Sequence, residues 1–180
     1  FYSNINFYRG GDVFKFGEAK HNHTNRFNVR GNVDVNISDD IKAYVNANAT
    51  FYDASSAKGN YWSTAASMRP NYPQNAAPLI PIDYISPSAT NAWALINNAN
   101  LIDGKYFLAG SQENSTHIFG DIYSAGKTKY TSRQFQFDTG IKINLAKLLK
   151  GLSFETKFAV DYATSYNTSF DNNYAVYIPT

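Results

Sequence analysis

The sequence predicts an all-β fold, a partial antiparallel β-barrel of the transmembrane kind. Three observations lead to this prediction: apolar and polar residues alternate over long stretches, the stretches form pairs joined by short turns, and long connections separate the pairs. A period of two is typical of β-strands, because successive side chains of a strand point to opposite faces of the sheet. The composition, with 43% hydrophobic and 17% charged residues, is that of a folded protein.

The first pair of strands lies between residues 26 and 53. On both sides of the turn Ser38–Asp40, odd positions are apolar or small, whereas even positions are polar, charged or tyrosine. We therefore predict strands over residues 26–37 and 41–53. The aromatic segment at residues 1–8 predicts a further strand before them.

A second pair repeats this design near the carboxyl end. The alternation predicts strands over residues 131–145 and 152–165, joined by the short link "AKLLKG". Over residues 27–37, 41–51, 135–145 and 152–162, the apolar face carries no charged residue. The other face carries the charged and amide side chains, and those predicted to line a barrel lumen are Arg30, Asp34, Lys42, Asn46, Asp138, Lys142, Glu155, Lys157 and Asp161.

Strand length favours a membrane over a second protein layer as the cover of the uncharged face. Eleven residues at about 3.3 Å each, tilted by about 40°, rise roughly 28 Å, which matches the hydrocarbon core of a bilayer. Outer-membrane barrels have short periplasmic turns and long extracellular loops. We accordingly predict short periplasmic turns after residues 37 and 145, and a long extracellular loop over about 54–130.

About five strands do not close a barrel, and open strand edges are not tolerated in lipid. The chain is therefore expected to be a piece of a longer protein, with a plug domain and the remaining strands lying outside it. Assembly from several copies is the less favoured alternative.

Composition and motifs exclude other classes of function. A net charge of +2 without a basic run argues against nucleic-acid binding, and the absence of cysteine removes disulfide frameworks and thiolate chemistry. The segment "GDIYSAGKT" has one residue too many for a phosphate-binding loop. No triad or nucleophile motif occurs, so the sequence predicts neither an enzyme nor a catalytic residue, a metal site or a cofactor.

Several stretches resemble the SusC/RagA-type TonB-dependent transporters of bacterial outer membranes. "NRFNVRGNVDVNISDDIKAYVNANATFYDA", with Arg26, Arg30 and Asn32, is similar to the early barrel strands of that family. "LAKLLKGLSFETKFAVDYATSYN", with Lys157 and the Asp-Tyr pair at Asp161, is similar to a later hairpin, and "SMRPNYPQNAAPLIP" to the loop between them. The resemblance implies import of oligosaccharides or peptides across the outer membrane of Bacteroidetes-type bacteria. It also implies a SusD-type surface lipoprotein as partner and the TonB complex as energy source.

Aromatic residues of the long loop are the candidates for substrate or partner binding, because flat rings with a polar edge stack on sugars and pack on proteins. They are Tyr61, Trp62, Tyr72, Tyr84, Trp93 and Tyr106. The alternative is that these rings form a small core of the loop itself. Tyr52, Tyr162 and Tyr166, near the strand ends, are predicted to belong to the aromatic girdle at the membrane surface.

Two other functions stay open at this point. One is a soluble, secreted β-sandwich that binds carbohydrate, with the apolar face as its core. The other is a structural outer-membrane barrel or adhesin that transports nothing.

Overall fold

The computed structural model of the chain describes residues 1–59, 63, 66, 79–97, 101–108 and 117–177. The chain divides into two compact units. The first, called the strand unit, comprises Phe1–Gly11, His23–Ala54 and Lys129–Asn167. The second, called the loop unit, comprises Asp12–Asn22, Ser55–Thr128 and Thr168–Thr180.

The secondary structure of the described residues consists mainly of strands. These are β1 (Tyr2–Gly11), β2 (His23–Asn36), β3 (Ile41–Ala57), β4 (Leu79–Pro81), β5 (Tyr106–Leu108), β6 (Gly126–Asn144) and β7 (Ser153–Asp171). The α-helices are α1 (Thr90–Ile96) and α2 (Ile118–Tyr123), and 3-10 helices occur at Gly17–His21 and Ile82–Tyr84.

The long strands form one open sheet in the order β1-β2-β3-β6-β7. β1 runs antiparallel to β2, with Tyr2 opposite Asn32 and Gly11 opposite His23. This sheet confirms the predicted antiparallel, all-β fold class. Among the described residues β1 and β7 are its two edges and do not pair with each other, so closure into a transmembrane barrel stays a prediction.

A short turn joins the two strands of each hairpin in this sheet, β2 to β3 and β6 to β7. In the first, Ile37 N–H donates to the carbonyl of Ile41 over 2.9 Å. In the second, Leu145 N–H donates to the carbonyl of Leu152 over 3.0 Å. Each turn therefore fixes the register of its hairpin, and with it the face on which every side chain lies.

The strands are longer than their apolar alternation predicts. β6 begins at Gly126 rather than at residue 131, and β7 ends at Asp171 rather than at 165; each has 19 residues. The additional residues, in "GKTKY" and "YNTSFD", include Thr, Tyr and Phe, which suit strands, but they contain only one apolar aliphatic or phenyl side chain, that of Phe170. An apolar period cannot reveal such segments.

The predicted loop over about 54–130 contains secondary structure of its own. β4 and β5 pair antiparallel, with Leu79 opposite Leu108. The helices α1 and α2 also lie in this segment. The loop unit is thus a small folded body and not an irregular connection.

Buried apolar side chains occur only in the loop unit, as far as the described residues show. They are Ala19, Ala57, Ile96, Ile102, Phe107, Leu108 and Ile122. Phe14 and Phe16 pack against the cluster of Ala19, Ala57 and Ile122. The long-stranded sheet of the strand unit therefore has no apolar core of its own.

Candidate functional site

The strand unit has two chemically different faces, set by residue parity. Its polar face consists of the even-numbered residues of β1, β2, β3 and β6 and the odd-numbered residues of β7. The apolar face consists of the alternate residues of the same strands, from the short turns as far as Phe7, Phe27, Phe51 and Phe135; the next positions on this face carry Arg9, Asn25, Asp53 and Arg133. Both faces bear on function, because one presents hydrogen-bonding groups and the other presents a continuous apolar surface.

Amide side chains connect neighbouring strands on the polar face. Asn28 donates to Asn48 over 3.2 Å and to the hydroxyl of Thr50 over 2.7 Å. Asn48 in turn donates to Gln136 over 3.1 Å. These contacts form a chain of hydrogen bonds from β2 through β3 to β6.

Asp138 is the centre of a second group on this face. Its Oδ2 accepts a hydrogen bond from Asn46 over 3.1 Å and lies 3.2 Å from Nζ of Lys157. An anion on β6 thereby joins an amide on β3 to a cation on β7. All three residues were predicted from the sequence to share this face.

Tyr44 reaches across β6 to a third group. Its hydroxyl donates to Oε1 of Glu155 over 3.5 Å, and Oε2 of Glu155 lies 3.6 Å from Nζ of Lys142. Gly140 makes this crossing possible, because a Cβ there would lie 2.5 Å from the Tyr44 hydroxyl oxygen and 2.7 Å from the carbonyl oxygen of Thr156. A glycine at this polar-face position was not recognised from the sequence as a requirement for close approach.

A concave space of about 400 Å³ opens over the centre of the polar face. Its polar lining is formed by Arg30, Asn32, Asn46, Asn48, Gln136, Asp138, Lys157 and Asp161. Both signs of charge are present in equal number, and the amides offer donors and acceptors together. The Oδ1 atom of Asn32 is buried and has no hydrogen-bond partner. Such a lining suits water or a neutral ligand with many hydrogen-bonding groups.

The predicted lumen-lining residues fall into two groups. Arg30, Asn46, Asp138, Lys157 and Asp161 line this space, and Lys142 with Glu155 forms the ion pair on the same face. Asp34 and Lys42 are exposed and do not line it. Asn32, Asn48 and Gln136 also line this space; the alternation assigns them to the polar face, but they were not singled out as lining residues.

The apolar face is widely exposed. Its large exposed side chains include Ile5, Phe7, Val33, Val35, Ile37, Val45, Phe51, Phe135, Ile141, Phe154, Phe158 and Val160, with Phe7 at 64% and Phe158 at 61%. Burying one such side chain fully contributes about 1.5–3 kcal/mol to stability. Ten side chains that stay half exposed therefore lack on the order of 10 kcal/mol of this stabilisation. That free energy is comparable to the entire stability of an ordinary domain. We therefore expect an apolar environment to cover this face.

A row of phenylalanines crosses the apolar face near the ends of the strands. Phe7 lies directly opposite Phe27 in the β1–β2 pair. The rings of Phe27 and Phe51 are 6.0 Å apart. On the next strand, β6, the guanidinium of Arg133 lies 5.6 Å from the centre of the Phe51 ring.

The apolar face ends in an ion pair just beyond this row. Nη2 of Arg133 donates to both carboxylate oxygens of Asp53, over 3.0 Å to Oδ1 and 3.1 Å to Oδ2. Thr131 donates to the same carboxylate over 3.1 Å. The carbonyls of Tyr52 and Ser132 accept from Nη1 of Arg133, so the cation is largely saturated by its own strands.

Tyr52 does not lie on the apolar face, and its predicted place in an outward-facing girdle is wrong. It lines a second polar-face recess together with Tyr8, Arg26 and Asn28. Its ring meets that of Tyr130 edge to face, with 5.8 Å between the centroids. The physical reason is parity: residue 52 is even, and even residues of β3 face the polar side.

No protein-family model, no curated protein and no solved structure matches the chain. The resemblance to the SusC/RagA-type transporters therefore stays a prediction from the stretches quoted above. Among the described residues, no helix has both the length and the apolar character needed to cross a bilayer. The same residues contain no group of three His, Cys, Asp or Glu side chains placed to hold a metal ion.

The aromatic candidates of the long loop are only partly placed. Tyr61, Trp62 and Tyr72 lie outside the described residues. Tyr84 is 81% exposed at the end of a 3-10 helix, and Trp93 on α1 donates its indole N–H to the carbonyl of Ser86. Tyr106 pairs with Pro81 in the β4–β5 sheet. No ring contact joins these three placed aromatics.

Tyr174 organises the loop unit, a role that the sequence did not suggest. Its hydroxyl oxygen accepts the backbone N–H of His117 over 2.8 Å and lies 2.5 Å from Oδ1 of Asp121. Burial, followed by this hydrogen bond to Asp121, raises the pKa of Tyr174 well above its usual range. Gly120 lies under the ring, since a Cβ there would come within 2.3 Å of it. Tyr174 thus fastens the segment after β7 to helix α2.

Proposed function

We propose that the chain is a segment of a β-barrel in the bacterial outer membrane, with its apolar face toward lipid and its polar face toward the lumen. One observation carries the proposal: the apolar face is exposed over the length of the sheet, whereas the polar face of the same strands is joined by hydrogen bonds and ion pairs. A hydrocarbon environment stabilises this arrangement, because lipid covers the first face and water solvates the second.

The height of the apolar face supports the proposal. Its clearest stretch follows β2 into the first residue of the turn, from Phe27 to Ile37. Ten residue steps of about 3.3 Å, tilted by about 40°, give a height of roughly 25 Å, which is the height of the apolar band of outer-membrane barrels. The phenylalanine row and the Arg133–Asp53 ion pair at one end have the chemistry of a membrane–water boundary.

The two edge strands require further partners under this proposal. An unpaired backbone N–H or C=O in lipid costs several kcal/mol, so an open sheet does not persist in a bilayer. We therefore infer that further strands of the same protein pair with β1 and β7. The rest of the barrel and a plug domain belong to that part of the protein.

Transport is the activity that fits this segment best. A polar face with balanced charges and many amides suits a water-filled lumen, and the resemblance to the SusC/RagA family suggests the cargo and the partners. We propose import of oligosaccharides or peptides, with a SusD-type lipoprotein on the extracellular side and energy from the TonB complex. The loop unit would face the cargo or the lipoprotein.

The proposal competes with a soluble carbohydrate-binding sandwich. A sandwich needs a second layer packed on the apolar face. The described residues of the chain do not form such a layer, because the large side chains of this face are exposed. A non-transporting barrel or adhesin shares the membrane placement and differs only in lacking uptake activity.

Arginine substitutions on the two faces test the proposal. In the intact protein, Val33→Arg in the middle of the apolar face should cost about 2–4 kcal/mol and reduce folding into lipid vesicles, whereas Ile143→Arg beside the short turn should cost about 0–1 kcal/mol. Asn46→Arg on the polar face is the matched control and should fold normally. Heat-modifiable mobility in gels measures folding, and fractionation of cells measures membrane location. Equal losses at Val33 and Asn46 would contradict the proposed orientation.

A further inference from the structure

The turn between β6 and β7 is rigidly built and yet carries exposed leucines. Leu148 N–H donates to the carbonyl of Leu145 over 2.8 Å, and Leu152 N–H donates to that of Leu149 over 2.9 Å. Gly151 completes the turn with a positive φ of 84°, a conformation that glycine adopts without steric cost. The Asn144 side chain also accepts the Ala146 N–H over 3.0 Å, so the turn is held without any contribution from Leu148 or Leu149 side chains.

The two central side chains of this turn project away from the protein. Leu148 is 78% exposed and Leu149 is 65% exposed. Neither side chain belongs to the buried core of the described residues, so packing within those residues does not use their apolar surface. The other short turn, Ser38–Asp40, has only polar side chains, which shows that a turn of this sheet does not require leucine.

The leucines continue the apolar face and are flanked by cations. Leu145 lies opposite Leu152, which is 40% exposed and leads into the exposed Phe154 of β7. Lys147 and Lys150 stand on either side of the leucine pair. Lys147 forms an ion pair with Asp40 on the neighbouring turn. Lys150 has no carboxylate partner among the described residues.

Leucines beside lysines at the end of an apolar surface are typical of segments that lie in a membrane interface. The apolar side chains enter the acyl boundary, while the lysine stems extend along it and place their ammonium groups among the phosphates. Anionic phospholipids attract such cations, and the attraction acts only within about one Debye length of the surface. The turn has the composition and the position for this contact.

We propose that the Lys147–Lys150 turn inserts Leu148 and Leu149 into the interface of an anionic phospholipid leaflet. This inference rests on the proposed function, since it places the turn at the end of a lipid-facing surface. It adds a specific lipid contact that the barrel assignment does not require, because a polar turn would serve a barrel equally well. Its occupant is the phospholipid surface and not a protein partner.

Single cysteines provide the test, because the chain itself contains none. In the intact protein, a fluorescent label is placed at Leu148→Cys, with Asp39→Cys on the polar turn as the matched control and Val33→Cys in the apolar face as a reference. The protein is folded into phosphatidylcholine vesicles with and without phosphatidylglycerol. Lipids spin-labelled at the headgroup or within the acyl chain quench the label according to its depth.

The label at position 148 should be blue-shifted relative to that at 39 and quenched most strongly by shallow spin labels. Its accessibility to aqueous iodide should be several-fold lower than that of the label at 39. Phosphatidylglycerol should enlarge the blue shift, and Lys150→Gln should reduce this increase. Val33→Cys should be quenched by the acyl-chain label.

Three outcomes would overturn parts of this assignment separately. If the label at 148 is as accessible to iodide as that at 39 while the label at 33 is quenched by the acyl-chain spin label, the proposed interfacial anchor is wrong. The proposed barrel is unaffected by that result. If labels at both 148 and 33 escape quenching by lipid, the proposed membrane placement is wrong as well. If the label at 148 is shielded from iodide in native membranes but not quenched by spin-labelled lipid, a protein covers the turn and the lipid proposal is wrong.

Discussion

The Arg133 guanidinium binds both carboxylate oxygens of Asp53 at the end of the apolar face of the sheet. The contact lengths are 3.0 and 3.1 Å, and the same guanidinium lies over the Phe51 ring. A charged pair at this position marks where the apolar face ends. Because each ion supplies the partner of the other, neither Arg133 nor Asp53 is left as an unpaired charge beside Phe51.

Replacing Asp53 by Asn should weaken this boundary. The substitution removes one charge and leaves Arg133 with its contact to Phe51 and the strand carbonyls only. Paired hydrogen bonds to charged groups contribute about 1.5–3 kcal/mol when shielded, and partial exposure of this pair reduces the expected loss to about 1 kcal/mol. Unfolding of the detergent-solubilised intact protein by urea measures the change.

Asp39→Asn on the exposed turn is the control for the loss of a carboxylate alone. It should shift the urea midpoint much less than Asp53→Asn does. A midpoint shift of the same size for both variants would mean that general charge, and not the Arg133 contact, determines the effect.

Gly140→Ala should destabilise the polar face more than the small size of the added methyl group suggests. The new Cβ would lie 2.7 Å from the carbonyl oxygen of Thr156, which is backbone and cannot turn aside, and 2.5 Å from the Tyr44 hydroxyl oxygen. Overpacking of this kind costs about 1–3 kcal/mol. The free energy of unfolding measures the cost, and loss of the Tyr44–Glu155 contact is its expected structural sign.

Gly31→Ala is the matched substitution in another strand of the same sheet. Nothing lies within 4 Å of a Cβ at Gly31, so the alanine should be neutral or stabilising by roughly 0.5 kcal/mol through its lower backbone entropy. Similar destabilisation at positions 31 and 140 would show that strand propensity, rather than close approach, limits these sites.

The sequence predicts the sheet well because the apolar face imposes a strict period. The residues from Phe27 to Ile37 and from Ile41 to Phe51 show which side chains share a face, and the turn Ser38–Asp40 fixes their register. The alternation within each strand also puts Asp138 and Lys157 on one face before any coordinates are known. It does not give the order β3-β6 in the sheet, which comes from the structure.

The loop unit could not be predicted in the same way, because its contacts join distant residues without any repeating pattern. Tyr174 and His117 are far apart in the sequence, and nothing around either residue indicates that a hydroxyl meets a helix start. The glycines under Tyr174 and Tyr44 likewise have no signal in a single sequence. Their importance depends on which ring crosses them in the folded chain.

Alkaline pH should loosen the loop unit through Tyr174. Burial and the hydrogen bond to Asp121 raise the pKa of this phenol in the folded state, while an unfolded tyrosine titrates near about 10. The folded state therefore holds the proton more tightly, so the contribution to stability is complete below about pH 10 and is lost as the pH rises toward the folded-state pKa. Tyrosinate absorbance and hydrogen exchange of the backbone around α2 follow the transition.

Tyr174→Phe should remove this part of the alkaline response and lower the local stability at neutral pH by about 1–3 kcal/mol, since a hydrogen bond to a carboxylate is lost. Tyr84→Phe, at an exposed position, controls for the number of titrating tyrosines. An unchanged alkaline transition in Tyr174→Phe would assign the pH response to other groups.

Exchanging the charges of Asp138 and Lys157 should preserve the polar face, whereas changing one charge should damage it. Lys157→Glu places a second carboxylate where Nζ now lies 3.2 Å from Oδ2 of Asp138, and like charges at that separation repel. The double variant with Asp138→Lys and Lys157→Glu restores opposite charges across β6 and β7. Thermal unfolding should therefore show a lower midpoint for the single variant and recovery in the double variant, with the difference shrinking at high salt because exposed charges are screened. Lys150→Glu on the turn between β6 and β7, where the lysine has no carboxylate partner among the described residues, provides a comparison outside the network of Asp138. If the double variant is as unstable as Lys157→Glu, the two residues are not coupled and the polar face is held by its amide chain instead.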